Sequence, residues 1–417
     1  MTPAVLAGSA AGEAPAADVP TADDPAVGAP ARELAALDAD FVFAAGGMLV
    51  SGDRGPDIAL PAPADAGPGR IGRLALAALA DRPGSLACGL VPFDPAQAPR
   101  LFVVEQPVRR RLDVDDTVGA TASAAAASIA APAGAAVPPE ETDEQYQRAV
   151  AAALERIAEG SLRKVVLARR LEVHLRGLDA GAVWARLAAR NPHGYTFAVR
   201  EGADVFLGAS PELVAAIDDS GFATHPLAGS APRGDSTARD AARGSALLAS
   251  QKDRREHGFV VDHIVARLAP LLGRLDVPSA PGLFATDAML HLGTRVTGAL
   301  RPDVSCLEAA LTIHPTPAVC GVPSARALHE IRRLEPAGRD GYAGLVGWMD
   351  ARGHGQWALA LRCALLRGRR ARLYAGAGVV AGSAPEAEHA ETAAKFATMT
   401  AALAPAREAS TPAGGPR

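Results

Sequence analysis

The sequence predicts an α+β fold with large antiparallel sheets and helices packed outside them. Short apolar runs of strand length follow one another along the chain, and Gly-containing turns join several of them as in hairpins. Helical patterns occur in blocks and do not alternate strictly with strands, which favours antiparallel sheets over repeated βαβ units. We predict strands at 164–175, 196–201, 204–210, 213–218, 342–350, 357–367 and 371–380, and helices at 143–160, 238–272 and 387–403.

The helix at 143–160 has the clearest boundaries. It begins with an acidic first turn, repeats apolar residues at helical spacing and ends at Gly160. Before it, apolar runs at 41–43, 71–79 and 101–104 are separated by Gly and Pro turns. These runs indicate an N-terminal subdomain with shorter elements.

Composition divides the chain into five parts. Residues 1–32 and 405–417 contain few large apolar side chains and are predicted to be disordered tails. An Ala/Pro-rich stretch at 113–141 is predicted to be a flexible surface connection. It would join the N-terminal subdomain (33–112) to a catalytic domain (142–404).

Charge and cysteine content exclude several classes of protein. Lys and Arg number 42 against 46 Asp and Glu, so no strong field would attract nucleic acid or an anionic membrane. The sequence shows neither a signal peptide nor an uninterrupted apolar run of membrane-spanning length. Four separated cysteines without a CxxC pair argue against a zinc site and a disulfide framework. We therefore expect a cytoplasmic protein that acts on a small molecule.

Two acidic pairs stand out on predicted helices. Glu388 and Glu391 are three residues apart, with Lys395 four further on, and Asp253 and Glu256 repeat the spacing on another helix. If the two pairs meet, their carboxylates form an oxygen-rich site suited to Mg²⁺ with retained waters. The alternative is two solvated helix faces with ordinary salt bridges.

Three charged residues interrupt or border apolar strand runs. Lys164 lies in LRKVVLARR and would act as a base if buried, or would reach the solvent as a rim lysine. Glu212 in GASPEL is either a general acid or a turn carboxylate. Arg362 in WALALRCALL needs a partner, either a substrate carboxylate or a structural Glu.

Two Gly-rich stretches, 226–234 and 374–382, would let backbone N–H groups approach an anion closely. Neither matches a P-loop or a dinucleotide-binding pattern. His291 and His314 lack metal-ligand spacing, and an isolated histidine is usually a satisfied core residue.

In combination and in this order, the motifs resemble the chorismate-binding domain shared by isochorismate, salicylate, anthranilate and aminodeoxychorismate synthases. The resemblance covers about 143–405 and implies the fold of anthranilate synthase component I. The motifs are LRKVVLARR, FLGASPEL, PLAGSAPRG, KDRREHGFVVDHI, HLGTRVTG, HPTPAVCGVP, GYAGLVGW, WALALRCA and YAGAGVVAGSAPEAEHAETAAK.

The resemblance implies a magnesium site. Glu256 and Glu391 would coordinate Mg²⁺ directly, and Asp253 and Glu388 would hold its waters. The metal would clamp the ring carboxylate of chorismate.

The resemblance also implies the catalytic and substrate-contacting residues. Lys164 matches the lysine that activates water, and Glu212 matches the acid that protonates the departing hydroxyl. The implied substrate-contacting residues are Ala228, Gly229, Ser230, His291, Ala318, Tyr342, Arg362, Gly376 and Lys395.

Within the family, three positions favour an isochorismate synthase, an isomerase that needs Mg²⁺. Lys164 marks the water-using members, Ala228 replaces the nucleophilic lysine of aminodeoxychorismate synthases, and Ala318 replaces the usual Thr of salicylate synthases. No glutaminase-like motif is present, so we expect a monomer with chorismate as substrate and no glutaminase partner. Two N-terminal segments, FVFAAGG and GLVPFDPAQAPRLFV, favour a siderophore pathway. The alternatives are salicylate synthase, a menaquinone-pathway isochorismate synthase and a catalytically inactive scaffold.

Overall fold

The computed structural model describes residues 39–404 except 63–64, 66, 113–142, 176 and 287. The predicted tails (1–32 and 405–417) and the whole of the predicted connection (113–141) lie outside the described residues. The described strands are β1 (Phe41–Ala45), β2 (Met48–Gly52), β3 (Leu86–Val91), β4 (Arg100–Val104), β5 (Val108–Arg111), β6 (Lys164–His174), β7 (Tyr195–Glu201), β8 (Asp204–Ser210), β9 (Leu213–Asp218), β10 (Gly221–His225), β11 (Leu227–Pro232), β12 (Leu272–Asp276), β13 (Gly282–Ala285), β14 (Met289–Gly293), β15 (Val296–Leu300), β16 (Gly321–Val322), β17 (Leu345–Asp350), β18 (Gly355–Leu359), β19 (Cys363–Arg367) and β20 (Arg370–Val380).

Eight helices are described. They are α1 (Pro68–Leu79), α2 (Asp143–Ala158), α3 (Ala180–Arg190), α4 (Thr237–Ala249), α5 (Gln251–Leu268), α6 (Cys306–Ile313), α7 (Ser324–Leu334) and α8 (Pro385–Leu403). None of the helices in the described ranges combines the length and apolar content that crossing a bilayer requires.

The strands form two large antiparallel sheets and one small one. The first has nine strands in the order β16-β6-β20-β19-β8-β7-β1-β2-β5, and the second has eight in the order β12-β15-β10-β9-β18-β17-β3-β4. A three-stranded sheet, β11-β14-β13, lies beside them. The predicted α+β class with large antiparallel sheets is confirmed.

The two large sheets pack face to face, and helices cover the outer face of the first. Along β1, Phe41 and Phe43 join the core between the sheets, whereas Val42 and Ala44 face the helical layer. This alternation is the two-residue period of a strand that is buried on both faces. In the helical layer, Trp184 of α3 packs in the same cluster as residues of α8. The helices therefore pack outside the sheets, as predicted.

Strands from the predicted N-terminal subdomain lie in both large sheets. β1 pairs with β7, and β3 pairs with β17. The core between the sheets contains residues from 41–104 together with residues from 165–379. The segments 33–112 and 142–404 thus share one hydrophobic core over their described parts.

Two predicted elements are each divided in the structure. The run 357–367, predicted as one strand, is wrong as a single element because β18 belongs to the second large sheet and β19 to the first. Between them the backbone of Arg362 adopts a φ of 47°, which ends the extended conformation. The helical pattern at 238–272 breaks at Ser250, whose hydroxyl caps the N-terminus of α5.

Candidate active site

Lys164 begins β6 and is almost fully buried, with 1% of its surface exposed. Its Nζ lies 2.7 Å from Oε1 of Glu256 on α5. On the adjacent strand β20, a Cβ at Gly378 would lie 2.8 Å from that Glu256 oxygen and 3.2 Å from Cε of Lys164. A side chain at position 378 would therefore push the two charged groups away from the strand. Lys164 is therefore a buried lysine and does not reach the solvent as a rim lysine.

Glu212 follows β8 and is 3% exposed. Burial raises the pKa of its carboxyl group to about 8, although a hydrogen bond from the backbone of Leu227 and the charges of Lys164 and Arg362 act to lower it. The proton-bound form therefore predominates at neutral pH. A buried acid near a buried amine is the arrangement that general acid–base chemistry needs.

Arg362 lies in the link between β18 and β19, where its backbone adopts a left-handed conformation. Its charge acts on Glu212, Glu391 and Tyr342, so the guanidinium lies near all three. The side chain is half-buried, and within the described part of the chain it forms neither a hydrogen bond nor an ion pair within 4.0 Å. An anionic ligand could therefore bind to it without displacing a protein partner.

The N-terminal turns of α5 and α8 approach each other, as the acidic pairs suggested. Lys252 of α5 is close enough for its charge to lower the pKa of both Glu388 and Glu391 on α8. Burial is the main cause that raises the pKa of Glu388, and the neighbouring Glu391 charge adds to it. For Glu391, burial acts to raise the pKa, but the charges of Lys395 and its neighbours outweigh it and leave that pKa lowered.

The four predicted metal ligands differ in their contacts. Glu256 pairs with Lys164, and Glu391 pairs with Lys395, which also donates to the Gly376 carbonyl at 2.8 Å. The Asp253 carboxylate accepts from the hydroxyl of Ser250, the N-cap residue of α5. Among residues with described positions, no three His, Cys, Asp or Glu side chains form a metal-binding group. The donor chemistry nevertheless suits a hard cation, because four carboxylates, one of them buried with a raised pKa, lie on two adjoining helix turns.

The small sheet forms another wall of the site. Ser230 of β11 pairs with His291 of β14. The φ of Gly229 is 80°, and a Cβ there would lie 3.0 Å from Cβ of Asp253, so β11 approaches the start of α5 closely. His291 is 6% exposed, and burial and the charges of Arg362 and Lys395 hold its pKa well below the usual value. Its Nε2 is buried and has no hydrogen-bond partner in the described structure.

Two further predicted residues lie near this site. The ring of Tyr342 stacks on Tyr374 with centroids 5.7 Å apart, and a Cβ at Gly376 would lie 2.8 Å from the Tyr342 hydroxyl. Ala318 is half-buried in the segment that leads into β16, where Val322 pairs with Lys164. The structure thus brings the predicted residues from distant segments of the chain to one region.

Sequence analysis did not identify His257, which holds part of this site together. One ring nitrogen contacts the Ala228 carbonyl at 3.3 Å, and the other contacts the Thr294 hydroxyl at 2.7 Å. The signal was present, because His257 occupies the buried stripe of α5 with Val260 and Ile264. A histidine in an otherwise apolar stripe indicates a buried polar contact.

Known proteins with similar sequences are chorismate-binding enzymes, and several are named isochorismate synthases. A family profile described as chorismate binding enzyme matches residues 110–404. Isochorismate synthase DhbC of Bacillus subtilis is 40% identical over 335 residues, which cover 76% of this chain and 80% of that protein. The vibriobactin-specific isochorismate synthase of Vibrio cholerae is 38% identical over 76% of this chain and 79% of its own length.

Solved structures share the fold. A Bacillus anthracis protein provisionally named 2,3-dihydroxybenzoate-specific isochorismate synthase, DhbC, superposes with a TM-score of 0.80 at 35% identity, covering 89% of this chain and 99% of that one. Anthranilate synthase component I of Streptococcus pneumoniae superposes with a TM-score of 0.62 at 21% identity, covering 86% and 89%. The predicted relation to the anthranilate synthase component I fold is confirmed.

The raised pKa of Glu212 predicts a specific pH dependence of stability. Because the folded protein keeps this proton while the unfolded chain releases it near its ordinary pKa, the free energy of unfolding should fall as pH rises from about 4.5 to about 8. A Glu212→Gln variant lacks the titration, so the difference between wild type and variant should decline by roughly 1.4 kcal/mol per pH unit in that window. Urea unfolding of both proteins across the window measures this, and a constant difference would contradict a protonated Glu212.

Proposed function

Because the chain belongs to the family of chorismate-binding enzymes, we propose that it is an isochorismate synthase, an isomerase that converts chorismate to isochorismate. The observation that carries this proposal is that the buried side chain of Lys164 lies near the buried carboxyl group of Glu212, whose pKa is raised to about 8. The reaction requires a base on one side of a ring and an acid on the other.

Proton transfer by these two residues accounts for the chemistry. Lys164, once it has given up its own proton, removes a proton from the water whose oxygen bonds to C2 of chorismate. The ring double bonds shift, and Glu212 gives its proton to the C4 hydroxyl, which departs as water. The product has the composition of the substrate, and proton exchange with solvent restores both residues.

Cations in the cleft position the substrate. Arg362, without a close protein partner among the described residues, is proposed to bind a substrate carboxylate, and Lys395 is proposed to assist it. The unpartnered Nε2 of the buried His291 is proposed to hydrogen-bond the substrate. Fixing the ring between base and acid lowers the entropic part of the barrier.

The carboxylates of α5 and α8 are proposed to hold Mg²⁺, with Glu256 and Glu391 as direct ligands and Asp253 and Glu388 holding its waters. Mg²⁺, when bound, would neutralise the ring carboxylate and withdraw electron density towards it. In the described structure, Glu256 and Glu391 already contact ammonium groups, so the cation would compete with Lys164 and Lys395 for them. We also propose that the enzyme acts as a cytoplasmic monomer without a glutaminase subunit.

A siderophore pathway is the context that we propose. Among the similar proteins, one is named for vibriobactin and another for 2,3-dihydroxybenzoate. A salicylate synthase is the second candidate, because it would use the same base and acid before eliminating pyruvate. Ala318, in place of the Thr usual in salicylate synthases, favours the first candidate.

Product analysis distinguishes these functions. Purified protein incubated with chorismate and Mg²⁺ should yield isochorismate without salicylate or pyruvate, as resolved by liquid chromatography. Salicylate with an equal amount of pyruvate would support the second candidate. An absence of turnover would reject both and support a catalytically inactive scaffold.

Replacing the proposed base should abolish turnover while retaining substrate binding. Lys164→Ala should lower kcat by about 10²- to 10⁴-fold, the usual contribution of a general base. Lys164→Arg is the matched control for charge, since it can keep the contact with Glu256 but remains protonated. It should be as inactive as the Ala variant, and calorimetry should still detect chorismate binding to both. Wild-type turnover by Lys164→Arg would exclude Lys164 as the base.

Removal of a proposed metal ligand should weaken Mg²⁺ binding. Glu391→Gln should raise the Mg²⁺ dissociation constant roughly tenfold or more, because one anionic oxygen ligand is lost. Glu386→Gln is the control, because Glu386 lies in the first turn of the same helix but is exposed. Calorimetric titration with Mg²⁺ compares the two, and equal dissociation constants would place the metal elsewhere.

A further inference from the structure

A buried ion pair lies next to the site and has no role in the reaction described above. The guanidinium of Arg339 binds both carboxylate oxygens of Glu335, with two contacts of 2.7 Å. The side chains are 4% and 7% exposed, respectively. Glu335 directly follows α7, and Arg339 precedes the turn that contains Tyr342.

This pair completes the edge of the strand that carries Lys164. On the side away from β20, the only strand residues in the described structure that pair with β6 are the two of β16, opposite Lys164 and Val165. Farther along the edge, the Val166 carbonyl accepts from Nη2 of Arg339 at 2.8 Å, and the Ala168 N–H donates to Glu335 at 2.8 Å. The ion pair therefore supplies the donor and the acceptor that the next strand would supply in a longer ladder.

Arg339 also contacts two other segments of the site, one through its guanidinium and one through its backbone. Its Nη1 donates to the Val319 carbonyl at 2.8 Å, directly after Ala318. The backbone carbonyl of Arg339 accepts from the N–H of Tyr342 at 2.7 Å. The guanidinium also lies 4.0 Å from the centroid of the Phe93 ring, which covers it. One ion pair thus joins the segments that contain Lys164, Ala318 and Tyr342.

The backbone contacts of this pair, and not its charges alone, account for its presence. An apolar pair of similar volume is often as stable as a buried ion pair, because the ions lose their hydration. An apolar pair here would leave Val166, Ala168 and Val319 with unsatisfied backbone groups. We propose that Arg339 and Glu335 are positioning residues, which fix the proposed base relative to the substrate-contacting segments. This inference rests on the proposed function.

The test compares two arginines, each paired with a glutamate: the Arg339–Glu335 pair contacts the edge of β6, and the Arg372–Glu172 pair joins β20 to β6. Arg339→Lys keeps the charge but cannot reach Glu335, Val166 and Val319 together, so kcat for chorismate should fall about 10²-fold with KM changed by less than about threefold. Arg372→Lys is the control, because Arg372 on β20 binds Glu172 at the far end of β6 at 2.6 Å. It should keep kcat within about twofold, because this pair is more exposed and lies eight residues along β6 from Lys164.

A second variant and a second readout keep the proposal testable if Arg339→Lys folds poorly. Glu335→Gln can still accept from Ala168, and its kcat should fall about tenfold. Hydrogen exchange of the backbone amides at 164–168 should be faster in both variants than in Arg372→Lys, whether or not the protein turns over chorismate. Wild-type kcat in Glu335→Gln and unchanged exchange would overturn the positioning role. An inactive wild type with the expected exchange would instead reject the proposed function alone.

Discussion

Burial of Lys164 at the start of β6 is the constraint on which the rest of the site depends. An isolated ammonium group in a protein interior costs several kcal/mol in lost hydration, so it requires a nearby anion. Glu256 supplies that anion at 2.7 Å, which requires the first turns of α5 to dock against β6 and β20. Gly378 leaves the space for this contact. Docking of α5 in turn brings its carboxylates towards those of α8.

Glu212, in contrast to Lys164, is buried in its uncharged form. No salt bridge to it is found in the described structure, and desolvation keeps its proton on to about pH 8. The interior thus holds a compensated ammonium group near an uncharged acid. Three non-glycine residues near this region, Asp340, Ala343 and Arg362, have φ values of 48°, 60° and 47°. Such conformations cost energy and concentrate where side chains must point in a required direction.

The sequence predicted the elements with regular spacing and missed those that depend on contacts between sheets. β6, β8 and β9 were predicted to within one residue at each end, because runs rich in apolar residues identify buried strand segments. The run 357–367 was misread because periodicity does not show that a chain leaves one sheet and enters another. The three-residue spacing of the acidic pairs predicted that each pair lies on one face of a helix. It did not predict that Glu256 would bind Lys164. Arg339 was missed because its partners are backbone groups of segments far apart in sequence.

The central claim is that water, activated on one side of the ring, adds at C2 while Glu212 protonates the group leaving from C4. The most direct test is to run the reaction in water labelled with a heavy oxygen isotope and to analyse isochorismate at low conversion by mass spectrometry. This mechanism predicts one labelled oxygen in each product molecule, located at C2. Unlabelled isochorismate would contradict it, because the hydroxyl group would then have moved within the substrate without passing through solvent.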